Sequence, residues 1–216
     1  MASPSLRAQI AAWCGQFPNP AADPHANAAA RIADDAQLAR FAGLDSLTLP
    51  QVKELIGWKF GSMPHRRARA LDGLADTGWN GADGARAKIR RALAARDDVE
   101  ALAFIAGPEG IYRFGAAMGS TILAACRPDR FTVADSNALL ALRTLERMPP
   151  GPPTFRLQDW PGYLRECRAL AKVCRLSLRD VDRALWVAGA AATARRRSEG
   201  APATARSPRG TASTSS

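Results

Sequence analysis

The sequence predicts an all-α fold, on three observations. Apolar residues recur at helical spacing in segment after segment of the 216-residue chain. Clusters of Pro, Gly, Asn and Asp punctuate those segments, and no stretch alternates apolar and polar residues as a half-buried strand does. Ten helices follow, over residues 6–14, 28–41, 50–58, 64–74, 83–95, 99–105, 116–126, 136–147, 161–174 and 178–189. The first, second, fifth and sixth rest on spacing alone, with a break allowed inside 28–41. The third, fourth and ninth begin at Pro50, Pro64 and Pro161, and proline suits a first helical turn because its missing N–H has no intrahelical partner there. The seventh is rich in small residues, and the eighth starts on small polar residues after Asp135. In the last two, Tyr163, Leu164, Cys167, Leu170 and Ala171, then Leu178, Val181, Leu185 and Trp186, form an apolar stripe that reads as core. Ser177 followed by Asp180 resembles a capping box at the start of the tenth.

Composition narrows the class. With 47% hydrophobic residues and five tryptophans, the chain has enough apolar surface to bury a core, which excludes wholesale disorder. No apolar run approaches the roughly 18 residues of a membrane span. The amino-terminal stretch is interrupted by Arg7 and Gln9, unlike a secretory signal, so a cytoplasmic protein is expected. The formal charge is +10, and all but four of the 30 basic residues are arginine. Guanidinium groups fork onto phosphate oxygens, so a nucleic acid is the first partner to consider; on charge alone a solvated basic surface weighs equally. Cys14, Cys126, Cys167 and Cys174 include no C-x-x-C pair and no neighbouring histidine at zinc-ligand spacing. They read as buried small hydrophobes rather than disulfides or metal ligands. Neither His25 nor His65 sits where catalysis or ligation is expected. Residues 191–216 crowd Gly, Pro, Ser and Thr together without a large apolar side chain. They read as a disordered basic tail behind a helical domain of residues 1–190.

The most informative stretch runs from Ala101 to Leu145. A short apolar helix ends at Gly107-Pro108, a turn ends at Phe114-Gly115, and a second helix begins at once, with Ala116, Ala117, Gly119 and Ser120 as a small face for close approach. Such a hairpin, at about 99–126, presents free backbone N–H groups and the positive end of a helix dipole to an anion such as a DNA phosphate. Asp135 follows, just before the helix at 136–147. On the residues alone it reads most simply as an N-cap. As a functional group, its carboxylate would face the sugar of a nucleotide turned out of a duplex. There it would stabilise the positive charge that builds as the base departs and help position water.

The order of hairpin, small-residue helix and apolar stretch ending in Asp resembles the helix-hairpin-helix DNA glycosylase superfamily. More closely, GIYRFGAAMGSTILAACRPDRFTVADSNAL, DWPGYLRECR and LRDVDRALW are similar to small bacterial proteins with an 8-oxoguanine glycosylase fold. The resemblance covers roughly Trp58 to Trp186. It implies a helical glycosylase fold with a cleft between two helical subdomains, double-stranded DNA as partner, and a damaged, oxidised purine as substrate. By position Asp135 matches the catalytic aspartate, and Phe114, Gly115 and the amides of Ala116 and Ala117 match the hairpin tip. Bifunctional members carry a Schiff-base lysine near the position of Ala117, and this chain has no lysine between Lys88 and Lys172. The expectation is therefore a monofunctional enzyme that uses water. The usual Gly-x-Gly turn is here Arg113-Phe114-Gly115, where Arg113 would supply charge in place of a glycine. No cysteines follow Cys174 to complete an iron–sulfur cluster, so no cofactor and no metal are expected. A noncatalytic DNA-binding protein on the same fold is the alternative, and a helical module without nucleic acid stands behind it.

Trp58-Lys59-Phe60-Gly61, followed by His65, Arg66, Arg67 and Arg69, joins an aromatic to a basic run suited to stacking on a base and contacting phosphate. A core tryptophan beside a solvated helix face is the simpler account. Lys59 is carried as a DNA-contact candidate. Arg179, Asp180, Asp182 and Arg183 read as ion pairs within and between helices. A monomer is expected.

Overall fold

The computed structural model describes residues 5–152 and 154–200. Within them the chain forms α1 (Leu6–Gly15), α2 (Pro24–Ala39), α3 (Leu49–Phe60), α4 (Pro64–Thr77), α5 (Ala85–Ala94), α6 (Asp98–Ala106), α7 (Ala116–Cys126), α8 (Ser136–Thr144), a 3-10 turn (Leu157–Asp159), α9 (Trp160–Cys174) and α10 (Leu178–Gly200). No strand occurs among the described residues, and the all-α expectation holds. No helix among them is long and apolar enough to cross a membrane.

Local chemistry sets the ends. Pro24, Pro50, Pro64 and Pro161 all lie in first turns, where a missing N–H costs nothing. Before α3 the Thr48 N–H donates to the Gln51 side chain at 2.8 Å. Before α10 the Asp180 N–H donates to Ser177 Oγ at 3.0 Å. Most ends fall within three residues of the sequence reading, and three differences are informative. Helix α2 starts four residues earlier than expected, because Pro24 opens it, and it is unbroken. Helix α8 stops at Thr144, where the chain turns through Glu146 at φ 57°. Helix α10 continues to Gly200, so residues 191–200 extend the helix where a tail was expected. Ala192 is buried, and Thr193 Oγ1 reaches Asn137 of α8 at 3.4 Å. Residues 201–216 of that expected tail lie outside the described residues.

Helix α10 packs on α8, α1 and α9, while α6 packs on α5 and α7, and α3 on α4 and α7. Trp160, Tyr163 and Phe131 are fully buried at the centre. Trp160 stacks against Phe131 and against Tyr163, with ring centroids 6.2 and 6.3 Å apart. Two charged knots tie distant elements together. Asp98, at the start of α6, accepts from Arg130 at 2.8 Å and from Arg168 of α9 at 2.6 Å. Arg183 of α10, 2% exposed, donates to Asp34 at 2.7 Å and to Asp35 at 2.5 Å, both on α2, and to Asp180 at 3.2 Å. Burial works to raise Asp34, and the guanidiniums of Arg179 and Arg183 with the Trp58 N–H overcome it, leaving its carboxyl below the usual range.

Candidate active cleft

Asp135 is placed by a segment held on all sides. Residues Phe131 to Ala134 are buried. The Ala134 N–H donates to Ser120 Oγ of α7 at 2.7 Å, and the Tyr163 hydroxyl of α9 donates to the Val133 carbonyl at 2.9 Å. The chain then enters α8 with Asp135 as N-cap, its Oδ1 accepting from the Asn137 N–H at 2.8 Å. That bond fixes the carboxylate, since a capped side chain has one rotamer that satisfies the helix end. The other oxygen, Oδ2, stands 3.4 Å from Lys59 Nζ, and both residues line a cleft. The capping role of Asp135 and its place in the cleft lining therefore coexist in one side chain.

The cleft has a volume of about 420 Å³, within the range of small-molecule sites. Three aromatic rings line it: Phe17 and Trp186, in edge contact at 5.6 Å, and Trp58, with the Arg179 guanidinium over the rings of both Trp58 and Phe17. Trp58 is fixed by donating its Nε1–H to Asp34 at 2.7 Å and by the Arg179 guanidinium 5.0 Å above its ring. Arg179 also pairs with Asp34 at 2.7 Å and with Asp182, while its Nε–H is buried without a partner among the described residues. Asp182 is 4% exposed. Burial pushes its carboxyl up to about 6, with Asp135 adding to the rise and Arg179 and Lys59 opposing it. Behind Trp58, Val133 and Arg179, which line both spaces, lies a second and mostly apolar cavity of about 320 Å³ among Leu38, Ala42, Ala124, Pro128 and Phe131.

The sequence candidates are not all gathered here. Lys59, expected at a DNA contact, is instead 12% exposed inside the cleft beside Asp135. The hairpin residues form a separate feature. Gly119 of α7 packs so tightly on α6 that an added Cβ would stand 2.8 Å from Leu102 Cδ1, which is the close approach expected of the small face. Phe114, expected at the tip, is 5% exposed, and its ring is an anchor in the core. Ala116 is buried and Ala117 half-buried. The side chains that the tip does expose are Tyr112, at 57%, and Arg113, whose guanidinium lies 5.1 Å over the Tyr112 ring. Arg113 occupies the left-handed region at φ 61°, a conformation that glycine would adopt without cost. The first amides of α7 have no side-chain cap.

Sequence reasoning missed Phe17, Asp34, Arg179, Asp182 and Trp186 as cleft residues. The sequence reading places Trp186 in the core and gives the charged group ion pairs within and between helices, and those pairs do form. One signal was present: Arg179, Asp182 and Trp186 sit at i, i+3 and i+7, a stripe of α10 beside the core stripe of Leu178, Val181 and Leu185. The described residues that line the cleft include no cysteine, and outside it burial pushes the Cys14 thiol up to about 11 and Cys126 up to about 12. No set of three His, Cys, Asp or Glu among the described residues is placed to hold a metal. Comparison with protein-family models, with curated proteins and with solved structures gives no match.

Proposed function

We propose that this protein binds duplex DNA and excises a damaged base, as a DNA glycosylase that hydrolyses the N-glycosidic bond. The observation that carries the reading is the Asp135 carboxylate, which caps a helix with one oxygen and stands beside Lys59 with the other, in the lining of an aromatic-walled cleft. Such a cleft offers a flat ring the aromatic surfaces of Phe17, Trp58 and Trp186 and the Arg179 guanidinium, and stacking on an aromatic side chain is worth about 1–3 kcal/mol per base. In the reaction the bond from C1′ of the sugar to the base nitrogen breaks, its electron pair leaving with the base. Asp135 then stands against the cationic sugar until water adds at C1′ and gives up a proton. The base, an oxidised purine in this proposal, leaves with a proton. The hairpin, with Arg113 and the uncapped start of α7, supplies contacts to the DNA backbone.

Lys59 favours a second reading of the same site. The hairpin has no lysine, yet α3 delivers an amine 3.4 Å from Asp135. That amine, once deprotonated, is a nucleophile for C1′ as the C1′–base bond breaks; opening of the C1′–O4′ bond gives the Schiff base, and loss of the proton at C2′ then expels the 3′ phosphate, nicking the strand. The test is base release from duplexes carrying 8-oxoguanine, uracil, hypoxanthine, alkylpurines, or adenine opposite 8-oxoguanine, developed with and without hot alkali. Hydrolysis gives product only after alkali and loses it in Asp135→Asn. The lyase reading gives nicks without alkali, a borohydride-trapped covalent complex, and loss of both in Lys59→Ala. Duplex binding without release of any base would reject the enzyme and leave a DNA-binding protein.

A further inference from the structure

Helix α4 carries its charges in the order that a helix disfavours. Arg66 and Arg67 occupy its third and fourth positions and Arg69 follows, with no acid in the first turn. Asp72 and Asp76 fall in the second half, with no base in the last turn. The aligned peptide dipoles make a helix start positive and its end negative, so this order works against the helix from both ends. A local rule broken without local gain marks a position held for function.

The arginines are also free. Arg66, Arg67 and Arg69 are exposed, and none has a side-chain partner among the described residues. Elsewhere the chain spends arginine on ion pairs, as at Arg127, Arg130, Arg143, Arg168, Arg179 and Arg183. Arg7, Arg86, Arg90 and Arg175 are exposed without an ion pair as well, so what sets the run on α4 apart is its order along the helix and its place.

Its place in the fold is specific. Ser62 and Met63, immediately before α4, line the cleft. Further along, α4 passes beneath the hairpin: an added Cβ at Gly73 would stand 2.0 Å from the Tyr112 carbonyl oxygen. The Tyr112 N–H donates to Thr77 Oγ1 at 2.9 Å, and Arg113 reaches Asp72 at 3.5 Å. Helix α4 is thus a strut from the cleft rim to the hairpin, and the rise from Pro64 to Gly73 is about 14 Å. One DNA strand places about four phosphates along that length of axis.

We propose that α4 is a second backbone clamp, in which Arg66, Arg67 and Arg69 hold phosphates between the nucleotide in the cleft and the hairpin. The proposal rests on duplex DNA being the partner. It is tested on the full chain by fluorescence anisotropy with a labelled DNA duplex over a salt series, with thermal melts of the same proteins. The triple variant Arg66→Gln/Arg67→Gln/Arg69→Gln should lower the slope of log affinity against log salt by about 2.7, at roughly 0.9 per phosphate contact. Arg7→Gln/Arg165→Gln/Lys172→Gln removes equal charge on α1 and α9 and should leave the slope near wild type. Arg66→Glu/Arg67→Glu should bind DNA at least tenfold more weakly yet melt no lower than wild type, because acids now complement the start of the helix. Equal slopes for the two triple variants would overturn the clamp. So would a lowered melting temperature for the glutamate pair, since the arginines would then be structural, or stronger arginine-dependent binding to an RNA duplex. Absence of any DNA binding by the wild type at low salt would instead bring down the DNA reading itself.

Discussion

Replacing Asp182 by asparagine should stabilise this protein above pH 6 and do little below pH 4. The carboxyl is 4% exposed, and burial lifts it from the usual 3.8 to about 6 even with Arg179 and Lys59 nearby. At about 1.4 kcal/mol per pH unit, that rise is about 3 kcal/mol. For an acid raised in the folded state, the native protein keeps a proton that the unfolded chain releases. The Asp182 contribution to stability is therefore most favourable below pH 4, falls as the pH climbs from about 4 to 6, and stays reduced by the full amount above 6. Asparagine has the same shape, still offers an oxygen to Arg179, and does not titrate. At about 2–4 °C per kcal/mol for a domain of this size, the variant should melt about 6–12 °C above wild type at pH 8, with the gap closing by pH 4. Circular dichroism melts at four pH values measure it. A gap that does not change with pH, or a variant that melts lower at pH 8, would refute the reasoning and make the pair with Arg179 a net stabiliser.

Other expectations are equally direct. Gly73→Ala should move the hairpin off α4, because the new Cβ would stand 2.0 Å from the Tyr112 carbonyl. The roughly 1 kcal/mol that alanine adds to a helix is outweighed by an overpacking cost of about 1–3 kcal/mol, read in urea melts together with weaker duplex binding. Gly189→Ala meets the Asn137 carbonyl at 1.8 Å and should cost about 3 kcal/mol or more by separating α10 from α8. Arg113→Gly relieves the left-handed residue and should raise stability by about 1 kcal/mol, while the salt dependence of DNA binding falls by about one phosphate contact. Burial works to raise Asp98, and Arg168 and Arg130 overcome it, holding its carboxyl below the usual range. Its stabilising contribution is present above about pH 4 and is lost as the pH falls through the lower folded value. Asp98→Ala should cost about 2 kcal/mol at pH 7 and flatten the acid limb of the stability profile.

The helices were legible because each buries a stripe, and a stripe at 3.6-residue spacing is visible in one sequence. Close packing at Gly119 and the cap at Asp135 were legible for the same reason: both are decided within a few residues. The cleft was not. Its lining comes from residues 17–18, 34, 58–63, 133–135 and 179–186, brought together by the packing of α1 on α10 and by the contacts of Asp34 and Trp58 with the arginines of α10. Lys59 shows the difficulty. Nothing in its neighbourhood distinguishes an amine aimed at Asp135, 76 positions away, from one aimed at solvent. Phe114 shows the opposite error, since an aromatic ring in a turn reads as a tip while the fold uses it to pin the turn down. The stretch from 15 to 30 carried no pattern, yet its Phe17 wall is held by buried Asn27, whose amide donates to the carbonyls of Gln16 at 3.3 Å and Asn19 at 2.8 Å.

Because the cleft is closed by the two ends of the chain, its existence and the docking of the amino-terminal helices are one equilibrium. Arg179 and Arg183 near the carboxyl end clasp Asp34 and Asp35 near the amino end. Releasing α1 and α2 would take Asp34 from the Trp58 N–H and leave Arg179 with Asp182 and Arg183 with Asp180 as their remaining acidic partners. Anything bound in the cleft must therefore slow hydrogen exchange along α1 and α2, including at amides it never touches. The amino-terminal amides become a reporter of occupancy.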